Sequence, residues 1–188
     1  ENQEEIATIL EQTEKLDFLI QSLVKLSRME SGIIAVHSED TTIAQMFASV
    51  QQQFNVKVRE KNITLSLCDT DLHVRCDSKW TVEALGNIVD NAIKYTACGG
   101  NVQIKVEQYS FFVKIDIIDD GIGIEKEEIP KIFGRFYRSL SVADQPGVGI
   151  GLFLAREIIQ AQKGYIKVTS KRGKGSTFSV FLPIAKKE

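Results

Sequence analysis

The sequence predicts an α+β fold, a two-layer α/β sandwich in which a mixed sheet packs on helices, preceded by a long amphipathic helix. Apolar residues recur at helical spacing through the first part of the chain. Helix-like and strand-like segments then follow one another, and those of the second half include strands paired around short polar connections. Paired strands favour antiparallel neighbours, so the pattern does not fit a doubly wound parallel sheet.

The leading helix is predicted from Glu1 to about Ser31, a stretch without proline or glycine. Its apolar residues keep one heptad register, which is typical of a helix that packs in a bundle or dimer, although packing on its own domain remains the alternative. The register positions are Ile9, Leu16, Leu19, Leu23 and Leu26. Gly32 ends the helix, and residues up to Asp40 are predicted to form a linker.

The remaining elements follow from hydrophobic periodicity and from turn residues. Predicted helices run from about Thr42 to Val58, from Ser78 to about Tyr95 and from Ile150 to about Gln162. Predicted strands are Ile63 to Leu67, Leu72 to Cys76, the hairpin of Val102 to Val106 with Phe111 to Ile118, and the hairpin of Tyr165 to Thr169 with Thr177 to Leu182.

Composition excludes several classes of protein. The chain has 188 residues, of which 43% are hydrophobic and 26% charged, and a net charge of -2, so it is predicted to be globular and to bind no nucleic acid. Cys68, Cys76 and Cys98 are odd in number and lack CxxC spacing, which argues against a disulfide framework or a zinc site and favours the cytoplasm. No membrane-spanning run or signal peptide is evident, so the chain is not expected to be embedded in a membrane. The start at Glu1 is typical of a fragment.

Two asparagines, Asn87 and Asn91, lie four residues apart in GNIVDNAIKYT. A helix brings both side chains to one face, with Lys94 close beyond them. Amide oxygens are hard neutral ligands that suit Mg²⁺ when phosphates and water complete its shell. Taken alone, such a pair fits two solvated side chains better.

A predicted strand runs directly into Asp119, which is followed by Asp120, Gly121 and Gly123 in DDGIG. The glycines permit a tight turn beside a carboxylate held at the strand end. A buried carboxylate there can accept a hydrogen bond from the exocyclic amine of adenine, which guanine does not offer at that edge. A calcium-type loop or an ordinary Asp-Gly turn would use the same residues.

A glycine run, Gly147, Gly149 and Gly151, leads into the last predicted helix. Free backbone N–H groups and the positive end of the helix dipole can hold phosphate at such a position. The preceding residues, from Ser139 to Pro146, are small and polar, as in a lid. The glycine run is not a Rossmann fingerprint, because no strand precedes it, and it is not a Walker loop, because no Gly-Lys-Ser/Thr follows at the required spacing.

Two shorter segments complete the candidate site. IFGRFYRS interleaves aromatic residues with arginines, and Arg138 at the edge of the lid is expected to reach a γ-phosphate. Phe133 in the same segment equally fits a role in capping the core. RGKGSTF predicts a glycine hairpin before Thr177, whose hydroxyl is expected to support Asp119.

In this order, NIVDNAIKYT, DDGIGI, IFGRFYR, GVGIGL and GKGST resemble the N, G1, F, G2 and G3 boxes of the sensor histidine kinase catalytic domain, which has a Bergerat-type ATP-binding fold. Five ordered motifs over about a hundred residues make chance a poor explanation. The resemblance covers Thr41 to Pro183, and the leading helix resembles the second helix of the family's dimerisation and phosphoacceptor domain. It implies three parts: residues 1–31 of that helical domain, a linker at 32–40 and a catalytic ATP-binding domain at 41–188.

The resemblance implies roles for the helix that carries the two asparagines. Asn91 coordinates Mg²⁺, Asn87 assists it and Lys94 contacts phosphate. Gyrase, Hsp90 and mismatch-repair relatives carry Glu one turn before the magnesium Asn to activate water, whereas the amide of Asn87 cannot accept a proton. This difference favours phosphoryl transfer from Mg-ATP to a supplied acceptor over ATP hydrolysis.

The resemblance also implies roles around the base. Tyr95 lies against adenine, Asp119 reads the adenine amine and Thr177 supports Asp119. Asp120 stands where many relatives carry Asn, a change expected to affect hydration near the base. The glycines would shape pocket and lid: Gly121, Gly123, Gly147, Gly149 and Gly151.

The family's phosphorylated histidine lies in a motif like HELRTP, which this sequence lacks. His37 and His73 have no such context, and a structural or solvated role is expected for both. The chain is therefore expected to bind ATP without phosphorylating itself.

The resemblance implies a parent protein that phosphorylates its own histidine, passes the phosphate to an aspartate of a response regulator and dimerises through its helical domain. It also implies a cytoplasmic location within a bacterial inner-membrane sensor. Two alternatives stay open: a non-catalytic interaction module that uses nucleotide as a switch, and a serine kinase of the anti-sigma type, which would more typically carry Glu at position 87.

Overall fold

The computed structural model describes residues 2–30, 36–139, 142, 145 and 147–184. Within these ranges the chain forms four helices and seven strands. In order they are α1 (Asn2–Glu30), β1 (Glu39–Thr42), α2 (Ile43–Glu60), β2 (Thr64–Leu67), β3 (His73–Cys76), α3 (Ser78–Tyr95), β4 (Asn101–Gln108), β5 (Phe112–Asp119), α4 (Gly151–Ala161), β6 (Tyr165–Ser170) and β7 (Ser176–Pro183).

Five strands form one sheet in the order β2-β4-β5-β7-β6. The β2–β4 pair is parallel and the other three pairs are antiparallel. Both predicted hairpins, β4–β5 and β6–β7, are present. The parallel pair requires a long crossover, which α3 provides. The predicted mixed sheet is therefore confirmed.

A second sheet of two strands was not predicted as a unit. β1 pairs antiparallel with β3, from Glu39 opposite Cys76 to Thr42 opposite His73. The end of the predicted linker is thus a strand, and α2 begins at Ile43 directly after it. Four mostly polar residues carry no recognisable period, so local sequence does not reveal β1. Residues 32–35 of the predicted linker lie outside the described ranges.

The core lies between the inner face of the larger sheet and helices α2, α3 and α4. β5 and β7 alternate strictly between buried and half-exposed residues, so only one face of each strand contributes to the core. Burying each valine, leucine or isoleucine completely contributes about 1.5–3 kcal/mol. The predicted inward face of α3 is buried except at Trp80, which is half-exposed.

Helix α1 touches the rest of the molecule through its second half. Leu19 packs against the core, Ser22 is buried, and Nζ of Lys25 lies 2.7 Å from a carboxylate oxygen of Glu83 in α3. Other apolar side chains of α1 are 44% to 64% exposed, and they are Ile6, Ile9, Leu10, Leu16, Ile20, Leu23 and Val24. Several exposed apolar side chains on one helix are typical of an interaction face. In the described ranges, no helix has both the length and the apolar composition to cross a membrane.

Candidate functional site

A cleft opens between α3, the loop that follows β5 and the segment that leads into α4. Ten of the twelve site residues named from the sequence line it, whereas Gly121 and Thr177 do not. The ten are Asn87, Asn91, Lys94, Tyr95, Asp119, Gly123, Arg138, Gly147, Gly149 and Gly151. Motifs that are far apart in sequence therefore meet in one cavity.

Asp119 is the last residue of β5 and is 7% exposed. Its Oδ1 accepts a hydrogen bond from the backbone N–H of Gly121 at 2.9 Å and from that of Ser176 at 3.2 Å. Burial raises the pKa of this carboxyl, the two hydrogen bonds oppose the rise, and the neighbouring charge of Asp120 adds to it. The result is a buried carboxylate whose orientation is fixed by backbone N–H groups of the loop after β5 and of β7.

The expectation that the Thr177 hydroxyl supports Asp119 is wrong, because the contact from β7 is made by the backbone N–H of Ser176. Asp119 lies directly opposite Ser176 in the β5–β7 register, while Thr177 lies opposite Ile118. Successive side chains of a strand point to opposite faces, so Ser176 is buried and lines the cleft whereas Thr177 faces away from it. The alternation of inward and outward side chains along the strand Ser-Thr-Phe is the sequence signal that distinguishes Ser176 from Thr177.

Asp120 is expected from the sequence to affect hydration near the base, but its side chain makes its contacts elsewhere. Its carboxylate accepts hydrogen bonds from the backbone N–H of Asn101 at 2.9 and 3.0 Å and from the side-chain amide of Asn101 at 2.8 Å. These bonds lower the pKa of Asp120. Asp120 thus fastens the start of β4 to the end of β5, away from the cleft lining.

Helix α3 places its two asparagines on the cleft, one turn apart. Nδ2 of Asn87 donates to the backbone carbonyl of Glu83 at 3.0 Å. A methyl group at Gly151 would come within 3.0 Å of Oδ1 of Asn87, so this amide oxygen lies against the first residue of α4. Asn91 lines the same cleft on the next turn. The Asn87 amide therefore lies at the N-terminus of α4, and the Asn91 amide lines the same cleft, an arrangement that suits a metal ion and phosphate.

Lys94 and Tyr95 extend from the last turn of α3 into the cleft. Nζ of Lys94 lies 5.0 Å from the ring centroid of Tyr95, and a methyl group at Gly147 would come within 2.9 Å of Nζ. Burial lowers the pKa of Lys94, and the positive charge of Arg138 lowers it further. Burial raises the pKa of Tyr95. The ammonium group is thus held beside the glycine run, where an anion would be stabilised.

The N-terminus of α4 faces the cleft without a side-chain cap. Its first backbone N–H groups lack partners within the helix, and together with the helix dipole they form an anion site. Gly149, just before α4, has φ of +78°, and a methyl group there would approach the carbonyl oxygen of Tyr137 to 2.6 Å and the carbonyl carbon of Phe136 to 2.8 Å. The aromatic segment and the glycine run are therefore packed backbone against backbone, which only glycine permits.

Arg138 lines the cleft, and its guanidinium also donates to the lid. It forms hydrogen bonds to the backbone carbonyl of Val142 at 2.9 Å and to that of Gln145. Residues 140, 141, 143, 144 and 146 of the predicted lid lie outside the described ranges. In the described part, Arg138 therefore links the aromatic segment to the lid, a role that the sequence did not indicate.

Two further carboxylates line the cleft that sequence reasoning did not single out. Asp90 forms an ion pair with Lys57 at 2.5 Å, and a carboxylate oxygen of Glu128 accepts a hydrogen bond from the Tyr137 hydroxyl at 3.1 Å. Both carboxylates are thus engaged by side chains of the surrounding elements.

Neither histidine lies in the cleft lining. Nδ1 of His73 in β3 lies 2.8 Å from a carboxylate oxygen of Asp40, and the side chains of both residues are largely exposed. The backbone N–H of His37 donates to Asp77, the N-cap residue of α3. Both histidines therefore stand apart from the candidate site, as expected for structural or solvated residues.

Residues 76–186 match the family model described as histidine kinase-, DNA gyrase B- and HSP90-like ATPase. Among curated proteins, sensor histidine kinase WalK of Bacillus subtilis is 33% identical over 177 residues, covering 92% of this chain and 29% of WalK. Sensor protein kinase PmrB of Pseudomonas aeruginosa is 30% identical over 171 residues, covering 90% of this chain and 36% of PmrB. The chain thus spans about a third of the length of these relatives.

Solved structures agree with these sequence relatives. The mycobacterial sensor histidine kinase MprB superposes with a TM-score of 0.69 at 26% identity, over 78% of this chain and 97% of that one. The catalytic domain of histidine kinase ThkA gives a TM-score of 0.68 at 27% identity, over 78% and 95% of the two chains. The chain therefore belongs to the family of histidine kinase-, DNA gyrase B- and HSP90-like ATPases, as an ATP-binding catalytic domain of the sensor histidine kinase type.

Proposed function

We propose that this domain binds Mg-ATP and donates the γ-phosphate to a histidine outside this chain, from which it is relayed to an aspartate of a response regulator. The carrying observation is Asn87, a neutral amide against the N-terminus of α4, where hydrolytic members of the superfamily carry Glu. An amide orients groups but accepts no proton, which suits transfer to a supplied acceptor.

The base is read at the sheet end of the cleft. Asp119 accepts the adenine amine, since its carboxylate is buried and fixed by two backbone amides. Tyr95 lies against the ring from α3. Ser176, on the neighbouring strand, maintains the position of Asp119 through its backbone N–H.

The phosphates occupy the helix end of the cleft. Asn91, assisted by Asn87, contributes amide oxygens to Mg²⁺, while ATP and water supply its remaining ligands. The described residues contain no cluster of three His, Cys, Asp or Glu side chains suited to a metal, which fits an ion that arrives with its nucleotide. When bound, Mg²⁺ neutralises phosphate charge, and Lys94, Arg138 and the α4 amides orient the γ-phosphate.

The carboxylates of the cleft support transfer over hydrolysis. Among the described lining residues, Asp90 is paired with Lys57, Asp119 is held by backbone amides and Glu128 accepts the Tyr137 hydroxyl. Each of these three carboxylates already makes a contact with a neighbouring side chain or backbone amide. The cleft thus orients a donor and leaves the nucleophile to the acceptor.

The proposed partners rest on the sequence relatives, which are named as sensor kinases. A longer ThkA chain, solved in complex with the response regulator protein TrrA, is 23% identical to this one, and full-length ShkA, solved with AMPPNP, is 21% identical; at these identities both structures are a guide to the fold alone. By this proposal residues 1–31 belong to a helical dimerisation domain, 32–40 to a linker and 41–188 to the catalytic domain. The exposed apolar side chains of α1 would be covered in a homodimer of the parent, a bacterial inner-membrane sensor whose catalytic part is cytoplasmic.

The test combines nucleotide binding with phosphate transfer. Calorimetry with a non-hydrolysable ATP analogue should show binding that strengthens with Mg²⁺. Radioactive ATP should label a separately supplied helical domain of the parent, and acid should remove the label because phosphohistidine is acid-labile. The same helical domain with its histidine changed to alanine is the control and should stay unlabelled.

The other outcomes separate the alternatives. Sustained ATP hydrolysis without an acceptor would contradict the transfer assignment. Nucleotide binding without any labelled acceptor would favour the interaction module. An acid-stable label on a protein serine would favour the anti-sigma class.

A further inference from the structure

Lys61, the residue directly after α2, reaches across to the end of α3. Its ammonium group donates to the backbone carbonyl of Ile93 at 2.8 Å and to that of Lys94 at 2.7 Å. The side chain is half-buried. None of the five motifs contains Lys61, yet it contacts the turn that carries two residues of the cleft.

The end of α3 needs these donors because the last carbonyls of a helix have no partner within it. In α3 each of the last four helical carbonyls has a donor from elsewhere or from the cap: Ala92 from the N–H of Thr96, Ile93 and Lys94 from Lys61, and Tyr95 from the N–H of Ile122. A cation at this position is also favoured by the negative end of the helix dipole. Lys61 thus satisfies half of the helix terminus with one side chain.

The backbone of Lys61 strengthens the same connection. Its carbonyl accepts the N–H of Gly99 at 3.1 Å, in the loop between α3 and β4. The N–H of Ile122 meets the carbonyl of Tyr95 at 3.2 Å, which joins the α3 terminus to the loop after Asp119. The last turn of α3 is therefore held on one side by Lys61 and on the other by the loop that follows Asp119.

We propose that Lys61 is a positioning residue for nucleotide binding, acting through the last turn of α3 on Lys94 and Tyr95. This inference rests on the proposed function of the cleft. Removing the ammonium leaves two helix-terminal carbonyls without donors, so the turn shifts or frays and both side chains lose their fixed origin.

Lys57, one turn earlier in α2, offers an informative contrast. It pairs with Asp90 at 2.5 Å, but the two side chains are 59% and 42% exposed. Exposed ion pairs contribute little, because water competes for both charges. The Lys61 contacts instead involve backbone carbonyls at a helix terminus, so they fix the position of the main chain.

The first test measures affinity for a non-hydrolysable Mg-ATP analogue by calorimetry. Lys61→Met is expected to weaken binding by about tenfold, which corresponds to the lower end of the free energies associated with charge-assisted hydrogen bonds. Lys61→Arg keeps the charge and several donors and is expected to bind within about threefold of the wild type.

Lys114→Met is the matched control. Lys114 also makes two contacts, with Glu107 at 2.9 Å and Asp116 at 3.0 Å, but on the sheet face away from the cleft. It should lower the melting temperature and leave affinity unchanged. Unchanged affinity in Lys61→Met, an equal loss in Lys114→Met, or a Lys61→Arg variant as weak as Lys61→Met would each overturn the proposal.

The second test is amide hydrogen exchange on the nucleotide-free protein. The N–H groups of Thr96 and Ile122 should exchange faster in Lys61→Met and at wild-type rates in Lys114→Met. Absence of nucleotide binding by the wild type would refute the proposed function. Unchanged exchange at both amides would refute the role of Lys61, so the two failures are distinguishable.

Discussion

The two ends of the cleft are built on different principles. At the end proposed to bind adenine, hereafter the adenine end, Asp119 is placed by the pairing of β5 with β7 and by two backbone hydrogen bonds. At the end proposed to bind phosphate, hereafter the phosphate end, Asn91 and Lys94 project from a helix, and residues of the predicted lid and the start of α4 also line the cleft. A sheet fixes one acceptor rigidly, whereas the phosphate end distributes its contacts over several side chains and backbone amides. Loss of a single residue should therefore be more costly at the adenine end.

The largest effect is expected from Asp119→Asn. The amide is a weaker acceptor for the adenine amine and presents its own N–H₂ group to backbone donors, so affinity for ATP should fall by about 100-fold or more. Asp116→Asn, three residues earlier on the opposite face of β5, is the control and should bind normally. Calorimetry measures both variants. Near-normal affinity in Asp119→Asn would remove the distinction between the two ends.

Asn91→Ala tests the phosphate end and should have the next largest effect. Loss of the amide ligand should weaken binding about 30-fold in the presence of Mg²⁺, because other groups at this end retain part of the phosphate binding. Without Mg²⁺ the variant should bind much as the wild type does. Asn55→Ala on the exposed face of α2 is the control. A loss of equal size with and without Mg²⁺ would contradict the metal assignment.

A pH profile sharpens the same contrast. By the proposed function, Asp119 must be ionised to accept the adenine amine, and burial raises its pKa above the ordinary 3.8. As the pH is lowered, affinity should therefore begin to fall at a pH above the pKa of an ordinary aspartate. Below the pKa of Asp119, affinity should fall by about tenfold per pH unit. Asp119→Asn should show weak binding without this transition. Titration calorimetry across the acid range measures it, and identical profiles for the two proteins would exclude Asp119 as the titrating group.

The smallest effect is expected from Asp120→Asn. The pKa of Asp120 is lowered, so its stabilisation is present above the pKa of the unfolded chain and is lost as pH falls through the lowered value. The variant should lose less than about 1 kcal/mol in urea unfolding and bind ATP within about twofold. Removal of the neighbouring charge should also shift the acid transition of Asp119 to lower pH. A large loss of affinity would place Asp120 at the base after all.

Local pattern predicted most of the fold. α3 runs from Ser78 to Tyr95 as predicted, because its apolar period is regular and Asp77 caps it by accepting the N–H of Trp80 at 3.2 Å. The small β1–β3 sheet was missed, since its pairing depends on residues more than thirty positions apart. Long-range pairing of short polar strands leaves no local signal.

The site shows the same division. Motif order predicted which residues would meet, and ten of them line one cleft. The partner of Asp119 required strand register, which distinguishes Ser176 from Thr177. Lys61 and the packing of Gly149 on Phe136 required tertiary contacts, because neither follows from spacing along the chain.

The position of β7 has a consequence for synthesis of the domain. It is the last strand along the described chain, yet it lies between β5 and β6 inside the sheet, and its Val180 and Leu182 are fully buried. A chain emerging from the ribosome therefore cannot complete the sheet until Pro183 has cleared the exit tunnel. Until then β5 and β6 present open edges, so the nucleotide cleft can form only after translation of the domain is essentially finished.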